Sequence, residues 1–278
     1  MLVFEYIAPW VPIFRNSLEA ELAANSNKPL FTSFQLATVD FHGLPRNRTL
    51  VYRGFLFEQE NTNVITFTTD KRMKKYEELL NNDRYEAVFY FLNLKYQFRF
   101  RGRARMIDAK NRPVISLLKV DPGFLGGKKK PLSQEDILLS SEGHLPQSVP
   151  INTALVSPKI EKNLQKLEQD FMSSPHLFPP TQEDWNHEVH RQWDNLSKNL
   201  KKSFKKPPPK APLNDEYIKT MDAIRRGVDG KKDDEGFKNF SVVAMFSDYV
   251  DFVDLERDRR IIYQLDEYGQ WAETEVCP

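Results

Sequence analysis

The sequence predicts a mainly β, α+β chain: an antiparallel six-stranded β-barrel with peripheral helices. Three observations carry this. Short apolar, β-branched runs follow one another from Phe34 to Ile107 with only turns between them, one helical stretch interrupts them after the third run, and β-type runs return near residue 240. Strand, strand, strand, helix, strand, strand with short connections is an antiparallel barrel order rather than an alternating α/β one.

The elements are justified in order. Ser17 to Asn25 place Leu and Ala at helical spacing and predict a short helix before the first strand. Phe34–Val39 reads as a strand ending at the turn Asp40-Phe41-His42-Gly43. Arg48–Phe57 is the second strand and Val64–Thr69 the third. From Asp70 to Asn81 the period turns helical, with Met73, Tyr76, Leu79 and Leu80 as the apolar stripe and Asp70 placed to accept backbone N–H groups as a cap. Ala87–Leu92 and Gln97–Ile107 are two further strands. The chain ends in strands at Ser241–Phe246, Tyr249–Val253, Arg260–Leu265 and Trp271–Val276. Phe246-Ser247-Asp248-Tyr249 and Asp266-Glu267-Tyr268-Gly269 are hairpin candidates between them.

Residues 108–238 differ in character and read as a helical insertion. One amphipathic stripe runs through Ile160, Leu164, Leu167 and Phe171. A second runs through Trp185, Val189, Trp193, Leu196, Leu200 and Phe204, and both are expected to dock on the barrel. The lysine loop at 126–130 and the Pro-rich linker at 201–212 read as solvated. The last strands can complete the barrel only by returning to the first ones. The expectation is therefore one domain over 1–278, with the barrel at 30–107 and 240–278.

Composition excludes several classes. With 40 Lys plus Arg against 39 Asp plus Glu, the chain lacks the basic excess of a general polyanion binder, so no nucleic-acid partner is expected. The single cysteine, Cys277, can form neither an internal disulfide nor a zinc cage and points to a reducing compartment: the cytoplasm, or cytoplasm and nucleus. No apolar run approaches the ~20 residues of a membrane span, and residues 1–15 lack the basic start and cleavage pattern of a signal peptide. His187 and His190 lie at i, i+3 without an obvious third ligand, so no metal is expected.

Three segments are candidate binding elements. In Arg48-Thr49-Leu50-Val51-Tyr52-Arg53, an arginine stands at each end of an otherwise largely apolar strand; a guanidinium fork suits phosphate or carboxylate, and surface salt bridges are the plain alternative. Thr68 to Lys75 leaves a strand and opens a helix with hydroxyls and cations where free N–H groups and the helix dipole favour an anion. Tyr96 to Arg103 alternates Phe98 and Phe100 with Gln97, Arg99 and Arg101. This either fills a barrel or, on a less favoured reading, stacks RNA bases.

Together these segments resemble the pyridoxamine 5′-phosphate oxidase-like FMN-binding split-barrel family. The resemblance is carried by Pro9-Trp10, Gln35–Asp40, Arg46–Phe55, Thr68–Lys75, Tyr96–Gly102 and His190–Ser197, with an ungapped match from Lys75 to Gln97. It covers residues 1–107 well and the last forty loosely. It implies a split-barrel homodimer with FMN in a cleft between subunits and a small-molecule substrate. Arg48, on the strand that also presents Thr49, Leu50 and Val51, and Lys75, with Lys74 beside it, would hold the phosphate. Thr68 and Thr69 would bond the phosphate or ribityl chain. Gln97 would bond the polar edge of the flavin, Arg53 would sit near its reactive ring, and Arg260 would reach it from the second subunit.

The sequence departs from the pattern in specific places. Met73 stands where the family has Ser, and Val253 where the oxidase has a flavin-contacting Trp. Glu256 and Asp258 occupy the positions of a substrate-contacting Arg and His. Two acids there would repel a phosphorylated substrate, so little pyridoxal phosphate formation is expected. The resemblance thus supports an FMN-dependent oxidoreductase. The alternative is a non-enzymatic barrel dimer that has lost or weakened its flavin and serves protein interaction.

Overall fold

The computed structural model describes residues 4, 6–25, 31–113, 117–120, 152–155, 158, 180–228, 230, 233–266 and 269–278. The amphipathic stripe from Ile160 to Phe171 and the lysine loop lie outside these residues.

Helix α1 spans Trp10–Ala24, longer than the expected Ser17–Asn25. Trp10, Phe14 and Leu18 repeat at i, i+4, and Pro12 is tolerated because the first turn needs no internal N–H donor. Trp10 and Phe14 are wholly buried. Phe14 packs edge-on against Phe89, Phe98 and Phe100 at 5.0–5.3 Å between ring centres. The helix is the plug of the main core.

Around it lie β1 (Ser33–Val39), β2 (Pro45–Val51), β3 (Val64–Asp70), β4 (Arg84–Phe91) and β5 (Tyr96–Ile107), with α2 (Lys74–Asn81) between β3 and β4. A short two-stranded sheet, β6 (Leu117–Val120) with β7 (Asn152–Leu155), stands within the stretch expected to be helical. Helices α3 (Gln182–Asp194), α4 (Lys198–Ser203) and α5 (Asp215–Arg226) follow. The chain ends in β8 (Phe240–Asp254), β9 (Arg259–Leu265) and β10 (Trp271–Val276).

The expected six-stranded split barrel is corrected in strand number: the strands form one eight-stranded antiparallel sheet, ordered β10-β9-β8-β5-β4-β1-β2 with β3 paired to β8. It does not close into a continuous barrel. Among the described residues β2 and β3 share no ladder; the chain after β2 meets β3 through a Phe55–Ile65 bridge and the bond from the Arg53 N–H to the Thr66 carbonyl (2.9 Å). The expected strand Arg48–Phe57 ends early, at Val51, because Gly54 adopts φ +95° and Leu56–Glu58 coil into a 3₁₀ turn.

Two expected strands at 241–246 and 249–253 are one strand, β8. The anticipated hairpin at Phe246–Tyr249 is a bulge: Arg101 pairs with Tyr249, but Gly102 pairs with Ser247. The second hairpin forms, with β9 and β10 in register from Arg260↔Val276 to Leu265↔Trp271.

β8 separates two cores by strand alternation. Val243 and Met245 face α1 and the barrel side chains. Val242, Ala244 and Phe246 face Trp185, Val189, Trp193 and Phe204 of the helical insertion. The docking expected of that stripe is therefore observed, though the helix breaks at Asn195–Ser197. Thr181 and Asp184 form a reciprocal capping box at the start of α3, and Ser197 caps α4.

Candidate functional site

A cavity of about 570 Å³ opens where β2, the end of β3 and the start of α2 meet the chain that follows α4. Seven of the residues predicted for the site line it: Thr49, Leu50, Val51, Arg53, Thr68, Thr69 and Lys75. The local fold explains their convergence. β3 runs through Thr68 and Thr69 to Asp70, the chain turns with the Met73 N–H on the Asp70 carbonyl (3.0 Å), and α2 starts at once. Asp70 caps this turn rather than the helix. Its carboxylate accepts the Arg72 N–H and binds the Arg72 guanidinium at 2.6 Å.

Lys75 is only 8% exposed, and among the described residues no carboxylate lies within ion-pair reach of it. Its Nζ sits 2.6 Å from the sulfur of Met73, the residue that replaces the family's serine. Burial, and then the nearby Arg48 guanidinium, push the ammonium pKa down from 10.5 to about 8; Asp70 and Glu78 oppose this, and Lys210 adds to it. Arg53 is similarly placed. Its Nε is buried without a hydrogen-bond partner, and burial lowers the guanidinium pKa. A buried ammonium and a half-buried guanidinium, neither in an ion pair among the described residues, therefore border one cavity.

Arg48 does not line it. Its Nη2 pairs with Glu78 at 2.6 Å and its Nη1 donates to the Thr38 hydroxyl at 2.6 Å, while Thr38 donates to the same Glu78 oxygen. Lys74 is exposed and pairs loosely with Glu77 at 3.4 Å. Gln97 and Arg260 lie at the opposite end of β8, in one cross-strand row: Gln97 pairs with Val253 and Val253 with Arg260. Beside that row the wholly buried Asp251 binds Arg99 and, at 2.7 and 2.9 Å, Arg260. Burial raises the Asp251 carboxyl pKa, but the bonds from Arg260 and Arg99 outweigh it and hold the value below the ordinary carboxylate range. Phe98 and Phe100 are wholly buried, so the rings that the RNA reading requires are absent from the surface.

The remaining wall was not predicted. Lys206, Pro207–Pro209, Lys210 and Ala211 line the cavity, joined by Leu213, Tyr217 and Met221 leading into and along α5. The Pro-rich linker is not simply solvated; it straps the site. Its only sequence signal was the grouping of lysines around three prolines, which composition alone reads as a spacer.

Residues 7–108 match the model of the pyridoxamine 5′-phosphate oxidase FMN-binding domain. An uncharacterized protein of Saccharomyces cerevisiae is 33% identical, with 98% of this chain and 99% of that protein covered. The chain belongs to the pyridoxamine 5′-phosphate oxidase-like FMN-binding family. A second relative in this family, the pyridoxine/pyridoxamine 5′-phosphate oxidase 2 of Arabidopsis thaliana, is 40% identical over 38% of this chain and 50% of its own length. The residues matched by the family model, 7–108, end before the insertion. The crystal structure of a pyridoxamine 5′-phosphate oxidase-related, FMN-binding protein from Nostoc punctiforme superposes with a TM-score of 0.58 at 21% identity, covering 98% of each chain, and shares the fold.

Proposed function

We propose that the chain binds FMN in the cavity beside Arg53 and Lys75 and acts as an FMN-dependent oxidoreductase on a small molecule. The carrying observation is that buried Lys75 and half-buried Arg53, neither in an ion pair among the described residues, border the same cavity. An unpaired buried charge is costly, and a phosphate brings ~1.5 to 2 negative charges at neutral pH. In this reading Lys75 and the N–H groups opening α2 hold the phosphate, with the Thr68 and Thr69 side chains beside them. Arg53 donates its free Nε–H toward the ligand from the end of β2. Pro207–Pro209, Tyr217 and Met221 exclude water from one side. FMN, when bound, supplies reversible hydride and electron acceptance, chemistry that no side chain here provides.

Gln97 and Arg260 would act on the flavin across a homodimer interface, because within one protomer they lie at the far end of β8 from the cavity. The exposed turn carrying Glu256 and Asp258 follows β8 beside that row. Glu256 and Asp258, standing where the family pattern has a substrate-contacting Arg and His, disfavour a phosphorylated substrate.

The test is an absorbance spectrum of the purified protein, followed by titration of the flavin-free protein with FMN. Flavin bands in the blue, or saturable binding, are expected. Arg53→Ala should weaken binding by ~1.5–3 kcal/mol, the worth of a charge-assisted bond. A second reading is favoured by one observation: Arg48 is already engaged by Glu78 and Thr38. In that reading the chain keeps the sheet and has lost the flavin. A colourless protein that also fails the titration would establish it.

A further inference from the structure

The strap over the cavity has features that a passive spacer does not require. It is fixed at its start: the Phe204 ring is buried against Trp193 and Phe240, each 5.5 Å between ring centres. The Phe204 carbonyl accepts from Arg72 Nη2 (3.0 Å) and Asn239 Nδ2 (2.8 Å), and the Lys206 carbonyl accepts from Arg72 Nη1 (2.8 Å). Arg72 in turn is held by Asp70, at the end of β3. The same guanidinium therefore ties the strap to the turn that opens α2.

Beyond Lys206 the chain is three prolines, whose rings fix φ and leave little freedom. It then closes a tight turn, with the Ala211 N–H on the Pro208 carbonyl at 3.1 Å. Pro209 and Lys210 are its central residues, and Lys210 has φ +66°. Proline followed by a residue of positive φ is the type II pattern, in which the second central position normally belongs to Gly or Asn. A lysine is strained there, since its Cβ crowds the backbone in the left-handed region. The turn would form more easily with glycine, so its geometry does not explain the lysine. The cavity does.

Charge points the same way. Arg53, Lys75, Lys206 and Lys210 border the cavity, and the only acid in its lining, Asp70, is already paired with Arg72. Arg48, which the family pattern assigns to the phosphate, is engaged by Glu78. Lys75 can balance one of the phosphate's charges, leaving a deficit on the strap side.

We propose that Lys210, presented by the Pro208–Ala211 turn of the strap, is a direct ligand of the FMN phosphate and supplies the cation that Arg48 does not. The proposal rests on the FMN reading above and deepens it. Lys210 is near enough to Lys75 to add, behind burial and Arg48, to the depression of the Lys75 pKa. A phosphate between them would remove that repulsion. Lys210 is exposed in the ligand-free chain, so its contribution is screened by salt.

The experiment compares FMN with riboflavin, which has the same ring and ribityl chain but no phosphate. Flavin-free wild type, Lys210→Gly and Lys210→Arg are each titrated with both ligands, following quenching of flavin fluorescence at low and high salt. Lys210→Gly removes the charge and also relieves the backbone, so weakened binding cannot be ascribed to a damaged turn. The expected result is that Lys210→Gly loses about tenfold in FMN affinity at low salt, the lower end for a charged hydrogen bond, and less at high salt. Riboflavin affinity should not change, and Lys210→Arg should retain most of the FMN affinity. Equal FMN affinity in wild type and Lys210→Gly would overturn the role of Lys210 and leave the FMN reading intact. Equal weakening for FMN and riboflavin would also overturn it, by making the strap a wall only. Failure of wild type to bind FMN would overturn both.

Discussion

Replacing Lys75 by Met should make the ligand-free protein more stable and a poorer FMN binder, an opposition that follows from burying a cation for a ligand. The side chain is 8% exposed and its pKa falls from 10.5 to about 8, chiefly through burial. At about 1.4 kcal/mol per tenfold change in proton affinity, holding the ammonium in the native state costs about 3 kcal/mol. Methionine is unbranched, of similar length and uncharged, so it can fill the same space without that cost. The pH dependence gives the argument its sign. Unfolded lysine keeps its proton up to 10.5 while the native lysine releases it above about 8. Between those values the unfolded state binds more protons, so wild-type stability rises with pH. The advantage of Lys75→Met should therefore be full below pH 8, shrink from 8 to 10.5, and nearly vanish above. Urea unfolding of both flavin-free proteins across this range measures it. A variant less stable than wild type at pH 7, or an advantage independent of pH, would refute the reasoning.

Three further outcomes follow from named contacts. FMN affinity should fall as pH rises through about 8, because phosphate binding requires the protonated Lys75, and Lys75→Met should flatten that profile; titrations from pH 6.5 to 9.5 test this. Asp251→Asn should cost roughly 3 kcal/mol at neutral pH, since it leaves Arg99 and Arg260 facing a neutral amide at a buried site. The Asp251 carboxyl pKa is depressed, so the stability it contributes is present above the ordinary value of 3.8 and lost as pH falls through the native value; acid unfolding should show the difference between wild type and variant closing below that point. Gly102→Ala should destabilise by about 2–3 kcal/mol in a urea melt, because its Cβ would stand 2.8 Å from the Phe246 carbonyl carbon and 2.9 Å from Ser247 Cα, both backbone atoms.

Much of the fold was legible along the chain because strand and helix periods are local. β3, β5, β9 and β10 lie within a residue of their expected bounds, since alternation and turn residues mark them directly. The errors have physical causes. The sequence pattern places the start of α1 too late because its aromatic first turn and Pro12 look unlike a helix until Trp10 and Phe14 pack on Phe100. β8 was divided at Ser247-Asp248 because polar residues inside an apolar run imitate a turn, whereas the pairing with Gly102 accommodates them as a bulge.

For the site, the sequence by itself determined the local chemistry: cations and hydroxyls where β3 gives way to α2, and arginines at both ends of Arg48–Arg53. These follow from neighbouring residues and element periods. Which of these cations stay free was decided only by tertiary structure. Arg48 meets Glu78, thirty residues away, while Arg53 Nε and Lys75 meet no carboxylate among the described residues. The strap likewise acquires its role through Arg72, which reaches across the fold to the carbonyls of Phe204 and Lys206. Charge pairing and cavity walls are long-range properties, set by which surfaces the folded sheet brings together; residue types and periodicity carry no record of them.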